Sequence, residues 1–175
     1  MRKKSKKRNK MIGVALVIIV LLFGIITVKF IQYEKIIEDT ERTWLITQYG
    51  PRDVNSMFYT LYGGKGQLIV VDGGWTEDAD FVRQTIKEMG GKVDAWILTH
   101  PHQDHIGAFN AIYSDLQGIE IKKVYTVDMP SPKLCQERAH WDSVDTYNDF
   151  LDLNVKNLKY VYPGDELNIC GLKVD

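Results

Sequence analysis

The fold of this chain is decided by one short stretch of sequence, Thr99-His100-Pro101-His102-Gln103-Asp104-His105-Ile106-Gly107. It holds three of the four histidines of the chain and one carboxylate within six residues. Imidazole nitrogen and carboxylate oxygen suit a divalent transition metal, zinc first. The apolar run 94–98 precedes this stretch and has β character. The sequence therefore predicts a metal site at the carboxyl end of a buried strand, where α/β sheets place their sites.

The spacing of the histidines favours their convergence. Pro101 restricts His100 to an extended conformation, and residues two apart in an extended segment face the same side. We therefore expect His100, His102 and Asp104 to converge, with a helix beginning between Asp104 and Ile106. Asp104 is also placed to cap that helix, and His105 would return to the pocket from its first turn. The alternative is an exposed polar loop with incidental histidines, although a loop needs no such order of residues.

The order His100-x-His102-x-Asp104-His105-x-Gly107 resembles the signature of the metallo-β-lactamase-fold hydrolases. The run 68–74, apolar and then Asp72-Gly73-Gly74, resembles the second hallmark of that family, a buried strand that ends in Asp-Gly. The histidine run is most similar to the extracytoplasmic hydrolase domain of competence-type DNA-uptake channel proteins and their stand-alone relatives. The resemblance extends from about Thr43 to about Asp175.

The resemblance implies a role for each residue of the site. His100 and His102 would bind one metal ion, and Asp104 and His105 a second. Asp104 would also be catalytic, by orienting the metal-activated water. Two zinc ions are implied for the complete domain, with other divalent metals left open. Asp72 would accept a hydrogen bond from a ligand histidine and fix its tautomer; a plain Asp-Gly turn is the alternative.

His140, the fourth histidine, is a possible further metal ligand. It lies in the run 136–141, which predicts a helix, and closer to the cluster in sequence than the family usually places such a ligand. A surface or packing role is the alternative. The two cysteines, Cys135 and Cys170, lack the spacing of a metal site, and the sequence leaves open whether they pair.

The resemblance implies an α/β (α+β) fold, the αββα four-layer sandwich of metallo-β-lactamase type, and the uncharged run 11–28 predicts one transmembrane helix before it. Strands are predicted over Thr43–Gln48, Met57–Tyr62, Gln67–Val71, Val93–Leu98 and Ile121–Val127, then a β pair of Leu158–Tyr162 with Leu167–Val174. Helices are predicted over Asp78–Met89, from the metal loop to Tyr113, and in broken form over Pro132–Leu153.

Domains of this family have two halves, and the second half supplies a further His, a bridging Asp and a last His. The sequence offers no candidate for the last two before Asp175, so we expect only the first half, with the carboxyl-terminal half missing. We then expect the sheet residues Ile69, Val71, Ile97 and Val124 to be poorly covered.

The amino terminus has a separate pattern. Residues 2–10 carry seven cations and no acid, which leaves 15 of the 22 cations against 23 acids in the rest of the chain. Residues 11–28 carry no charge and are about long enough to span a bilayer as a helix. The sequence predicts a basic cytoplasmic arm (1–10), a transmembrane signal anchor (11–28), a juxtamembrane stalk (29–42) and a hydrolase domain (43–175). The positive-inside rule then predicts a single-pass protein of the cell membrane, with the amino terminus in the cytoplasm and the hydrolase domain outside. A cleaved signal peptide is the competing interpretation, but bulky residues follow the run.

These observations predict a membrane-anchored, extracytoplasmic, zinc-dependent hydrolase that uses a metal-activated water. The resemblance suggests a phosphodiester substrate and leaves thioesters, lactones and β-lactams open, so the substrate is an unknown small molecule or a phosphodiester. The acidic remainder of the chain shows no basic stripe with interleaved aromatic residues, so no nucleic-acid patch is visible. The alternative is a truncated, non-catalytic, membrane-anchored module that binds metal or a partner.

Overall fold

The computed structural model describes residues 2–41, 43–50 and 57–174. The chain divides into two compact units, Met1–Thr43 and Trp44–Asp175. The described part of the first unit is one helix, α1 (Arg2–Glu41). Its described side chains, Leu16 and residues 18–38, are all exposed.

The predicted transmembrane helix is not supported. Within the part of the chain that the structure describes, no helix is both long and apolar enough to cross a membrane. The side chains of the predicted basic arm lie outside the described residues.

The second unit contains ten strands and four helices in its described part, with mixed α/β organisation as predicted. The helices are α2 (Ala79–Glu88), α3 (Gln103–Ser114), α4 (Pro132–Arg138) and α5 (Val144–Asp152), and a 3₁₀ turn, Thr76–Asp78, precedes α2. The strands are β1 (Trp44–Tyr49), β2 (Phe58–Gly63), β3 (Leu68–Val71), β4 (Lys92–Val93), β5 (Ala95–Leu98), β6 (Glu120–Ile121), β7 (Val124–Val127), β8 (Leu158–Val161), β9 (Leu167–Ile169) and β10 (Leu172–Val174).

Six strands form one mixed sheet in the order β1-β2-β3-β5-β7-β8. The pairs β1–β2 and β2–β3 are antiparallel, whereas β3–β5, β5–β7 and β7–β8 are parallel. Parallel neighbours need crossover connections, and α2, α3 and the α4–α5 segment supply them. The carboxyl ends of β3, β5 and β7 therefore lie at one edge of the sheet, where the predicted site begins.

The two faces of the sheet are buried by different elements. Leu68 and Val70 of β3 join the core formed with α2, α3 and α5. Ile69, between them, packs on the opposite face with Leu167 and Ile169 of β9. This alternation follows from the two-residue period of a strand. The described residues therefore form a helical layer, a six-stranded sheet and a small β-hairpin on the second face.

Two expectations about this region are wrong. β8 does not pair with the run 167–174; it extends the large sheet beside β7, while β9 and β10 pair with each other. This hairpin covers the second face, so Ile69 is only 1% exposed. Val124 is fully buried on the helical side, and Val71 and Ile97 are half-buried.

Candidate metal centre

Asp72 lies directly after β3, next to the end of β5. Its backbone nitrogen donates to the Ile97 carbonyl at 2.8 Å, and its carbonyl accepts the Trp96 indole N–H at 3.0 Å. The φ angle of Asp72 is 56°, in the left-handed region that aspartate tolerates better than most residues. These two hydrogen bonds thus hold Asp72 in an uncommon backbone conformation at the predicted site.

The Asp72 carboxylate is buried, and both of its oxygens accept hydrogen bonds. Its Oδ1 accepts the Thr99 backbone N–H at 2.9 Å, and both oxygens lie within 3.0 Å of the Thr99 hydroxyl. Its Oδ2 lies 2.8 Å from His105 Nδ1. Because an ionised carboxylate only accepts hydrogen bonds, His105 carries its proton on Nδ1. Asp72 therefore does more than close an Asp-Gly turn: it orients a histidine of the cluster.

Thr99 connects the same carboxylate to a second histidine. Its hydroxyl oxygen lies 3.0 Å from His100 Nδ1. The single hydroxyl proton is directed to Asp72, so the oxygen accepts from the protonated Nδ1 of His100. Sequence analysis assigned Thr99 no role, although its position directly after β5 was a usable signal. One buried carboxylate thus orients His105 directly and His100 through Thr99.

The helix start differs from the prediction. α3 begins at Gln103, with His102 extended before it (φ −68°, ψ 147°), so Asp104 lies within the first turn and does not cap the helix. The Gln103 N–H donates instead to Asp142 Oδ1 at 3.3 Å. Asp142 belongs to the turn between α4 and α5, 39 residues along the chain, so no local sequence signal pointed to this contact.

The structure brings the four predicted metal ligands together. The ring centroids of His100 and His105 are 3.8 Å apart, and those of His100 and His102 are 4.6 Å apart. Asp104 Oδ2 lies 3.6 Å from His105 Nε2. Among the described residues, however, no group of three or more His, Cys, Asp or Glu side chains is arranged so that it could hold a metal ion. The ligand assignments therefore stay predictions.

The environment of the cluster shifts two histidine pKa values in opposite directions. Burial, and then the neighbouring His105 and His102, lower the pKa of His100. Burial also acts to lower the pKa of His105, but the hydrogen bond and charge of Asp72, with the charge of Asp104, raise it overall. A histidine must be neutral to bind a metal. His100 therefore meets this condition at a lower pH than His105 does.

Glycine at positions 73 and 74 allows the backbone to approach the cluster closely. Gly73 N–H donates to the His105 carbonyl at 2.8 Å, and the Ala108 N–H donates to the Gly74 carbonyl at 3.1 Å. A Cβ at Gly107 would lie 2.5 Å from the Thr76 nitrogen. The 3₁₀ turn after the Asp-Gly-Gly run therefore packs directly on α3.

The structure places His140 apart from this arrangement. α4 ends at Arg138, so His140 lies in an exposed turn rather than in the predicted helix. Its ring packs against Trp141, with centroids 5.1 Å apart, and no described contact joins it to the other three histidines. Cys135 and Cys170 are both free, so no disulfide joins them.

The family model described as Metallo-beta-lactamase superfamily matches residues 49–133, which include Asp72 and the histidine cluster. This part of the chain is therefore similar to members of that superfamily. The resemblance predicted from the motifs is thereby confirmed at superfamily level. The narrower similarity to DNA-uptake proteins stays a prediction.

Relatives of this superfamily domain include a hydroxyacylglutathione hydrolase of Aliivibrio fischeri, 29% identical over 121 residues. The match covers 67% of this chain and 46% of the relative, so the chain spans about half the length of the relatives it matches. Among solved structures, a metallo-beta-lactamase from Staphylococcus aureus subsp. aureus COL aligns with a TM-score of 0.44 and 12% identity, over 75% of this chain and 33% of that one. The metallo-beta-lactamase FIM-1 from Pseudomonas aeruginosa, in its mono-zinc form, aligns with a TM-score of 0.37 and 15% identity, over 71% of this chain and 49% of that one.

The donor set of the superfamily domain fits zinc by its chemistry. Three imidazoles and a carboxylate are the ligand types that zinc takes at catalytic sites. Catalytic histidine ligands characteristically donate their second ring nitrogen to a carboxylate or another acceptor. His105 and His100 do so here, through Asp72 and Thr99.

Proposed function

We propose that the superfamily domain binds a divalent metal ion, preferably zinc, and hydrolyses an ester-like bond with a metal-activated water. The observation that supports this most strongly is the shared Asp72 carboxylate. It engages the Nδ1 side of His105 directly and that of His100 through Thr99, which leaves the lone pair of each Nε2 atom to bind a metal ion. A surface loop with incidental histidines needs no such arrangement.

Under this proposal each residue has a distinct role. His100 and His102 hold one metal ion, and Asp104 and His105 a second. The chemistry that a bound ion would supply is a lower pKa of its water ligand, to about 7. Asp104, whose side chain is 29% exposed, would orient that water. Asp72 keeps the histidine tautomers fixed throughout.

We propose a thioester as the first substrate class, because the relatives are named hydroxyacylglutathione hydrolases. A phosphodiester is the second class, supported by the similarity of the run 100–107 to DNA-uptake proteins. Both reactions need an activated water and stabilisation of developing negative charge. The ligand set therefore serves either, and substrate choice must be measured.

The test is zinc-dependent turnover of a panel of thioesters, lactones, β-lactams and phosphodiesters. The 175-residue chain is assayed together with its His102→Ala and His140→Ala variants. We expect His102→Ala to lose activity by about 100-fold or more and His140→Ala, which changes an exposed histidine outside the cluster, to keep it. Zinc binding without turnover of any panel member would refute the enzyme proposal and favour the non-catalytic module.

We further propose that the amino-terminal helix associates with a lipid bilayer and that the superfamily domain lies on the extracytoplasmic side. The charge pattern supports this, since seven cations in residues 2–10 precede an uncharged run. Exposed apolar side chains on α1, such as Leu21, Phe23 and Ile26, also support it. Protease treatment of intact cells should remove the domain, whereas a protected domain or a fully soluble protein would contradict the proposal.

A further inference from the structure

The first turn of α3 takes its hydrogen-bond acceptor from a distant part of the chain. The first backbone N–H groups of a helix have no acceptor within the helix. The residue before α3 is His102, whose side chain forms no capping hydrogen bond among the described residues. An imidazole that accepted a backbone N–H with one nitrogen would carry its proton on the other, so it could not also bind a metal ion. A capping role and a ligand role therefore exclude each other at His102.

Asp142 supplies the acceptor from the turn between α4 and α5. Its Oδ1 accepts the Gln103 N–H at 3.3 Å, although the two residues are 39 apart in sequence. A carboxylate at this end of a helix is also favoured by the helix dipole. Gln103 lies between His102 and Asp104, two of the predicted metal ligands. The hydrogen bond from Asp142 therefore anchors the one residue that connects them.

The position of Asp142 is set by contacts on both sides of it. Its own N–H donates to the Ala139 carbonyl at 2.9 Å, which closes the turn. Four residues later, the Thr146 carbonyl accepts from the Asn110 side chain of α3 at 2.8 Å. The cavity between the turn and His102 has a volume of about 10 Å³, which holds at most about one water molecule. The turn therefore packs directly against the segment that carries the histidines.

We propose that Asp142 is a positioning residue of the metal centre, an inference that rests on the proposed metal-dependent function. It anchors the start of α3 from a distance, so that the His102 imidazole and the Asp104 carboxylate keep their lone pairs for the metal ion. A helix cap with a purely structural role would stabilise the fold and leave metal binding unchanged. Asp142 instead sets the geometry of the two ligands that flank Gln103.

The test compares Asp142→Ala with Asp142→Asn, which keeps an acceptor oxygen, and with Ser131→Ala as the matched control. Ser131 caps α4 by accepting the Leu134 N–H at 3.3 Å, so Ser131→Ala removes a helix cap away from the histidines. Zinc affinity is measured by competition with a chelator, and ligand geometry from the visible absorption bands of the Co²⁺-loaded chain.

We expect Asp142→Ala to weaken zinc binding about tenfold and to shift the Co²⁺ bands. Asp142→Asn should restore zinc affinity to within about threefold of the wild type, because asparagine is as good a capping residue as aspartate. Ser131→Ala should lower stability but leave the zinc affinity and the Co²⁺ bands unchanged. In the metal-free chain, the Gln103 amide should exchange its hydrogen about fivefold faster in Asp142→Ala than in the wild type.

Four results would overturn the proposal. They are wild-type zinc affinity and Co²⁺ bands in Asp142→Ala, an equal loss of affinity in Ser131→Ala, no recovery in Asp142→Asn, and unchanged exchange of the Gln103 amide in Asp142→Ala. Failure of the proposed function gives a different result, because the wild-type chain itself would then bind neither zinc nor Co²⁺. A wild-type chain that binds both ions, with an Asp142→Ala variant that binds them equally, would refute only the role of Asp142.

Discussion

Replacing Asp72 by asparagine isolates the carboxylate that orients the histidine cluster. Asparagine has nearly the same size and also tolerates the φ of 56° at this position, so the backbone should be retained. The change removes the negatively charged carboxylate that accepts hydrogen bonds from His105 Nδ1 and from Thr99. Hydrogen bonds to a charged group contribute about 1.5–3 kcal/mol. Since asparagine keeps one acceptor oxygen, we expect the metal-free protein to lose about 2 kcal/mol of unfolding free energy.

Asp72→Asn should also weaken metal binding, which is measured separately from stability. Loss of a partner that orients a metal-bound histidine costs about 10- to 100-fold in metal affinity. Zinc affinity is measured by competition with a chelator, and stability by urea denaturation of the metal-free chain.

The matched control for this prediction is Asp94→Asn. Asp94 is also buried, accepts the Leu68 backbone N–H at 3.0 Å and pairs with Lys122. Its loss should lower stability while leaving zinc affinity within about twofold of the wild type. A wild-type zinc affinity in Asp72→Asn, or an equal loss in both variants, would refute the orienting role of Asp72.

Three further predictions follow from the same contacts. Because the pKa of His105 is raised above 6.5, its pair with Asp72 stabilises the metal-free protein fully below about pH 6.5, and that contribution is lost as the pH rises through the raised pKa. His105→Asn should remove this part of the pH dependence of the unfolding free energy, measured by urea denaturation at several pH values. An unchanged pH dependence in the variant would contradict the prediction. Thr99→Val should cost about 1 kcal/mol and weaken zinc binding, whereas Thr60→Val, whose hydroxyl has no partner among the described residues, should cost nothing; equal effects would refute the bridging role. Gly107→Ala should lower the unfolding free energy by about 1–3 kcal/mol, because its Cβ would collide with backbone, whereas Gly24→Ala, with nothing within 4 Å, should not.

Local sequence patterns predicted the elements that carry the site. The apolar run 68–71 followed by Asp-Gly-Gly, and the run 95–98 followed by the histidines, are the strands β3 and β5. These two strands pair in parallel, which brings Asp72 close to Thr99 and His105. The period-two and period-3.6 patterns act within a few residues, so strands and helices of this length are visible in sequence.

Two of the failures involve contacts between distant parts of the chain. The strand β8 was paired wrongly because its partner β7 lies across the α4–α5 segment, whereas the run 167–174 is its next neighbour in sequence. The contact from Asp142 to the start of α3 joins residues 39 apart. The single-residue error at the start of α3 arose because Asp104 is a good capping residue, but the backbone already turns at His102. Such outcomes depend on tertiary packing, which local patterns do not contain.

The central claim is that the histidine cluster is a zinc site. Its most direct test is X-ray absorption at the zinc K-edge on the full chain loaded with one equivalent of zinc. The account predicts at least two imidazole ligands at about 2.0 Å, lost in the triple variant His100→Asn, His102→Asn, His105→Asn and retained in His140→Asn. A spectrum without imidazole ligands, or one that the triple variant leaves unchanged, would contradict it.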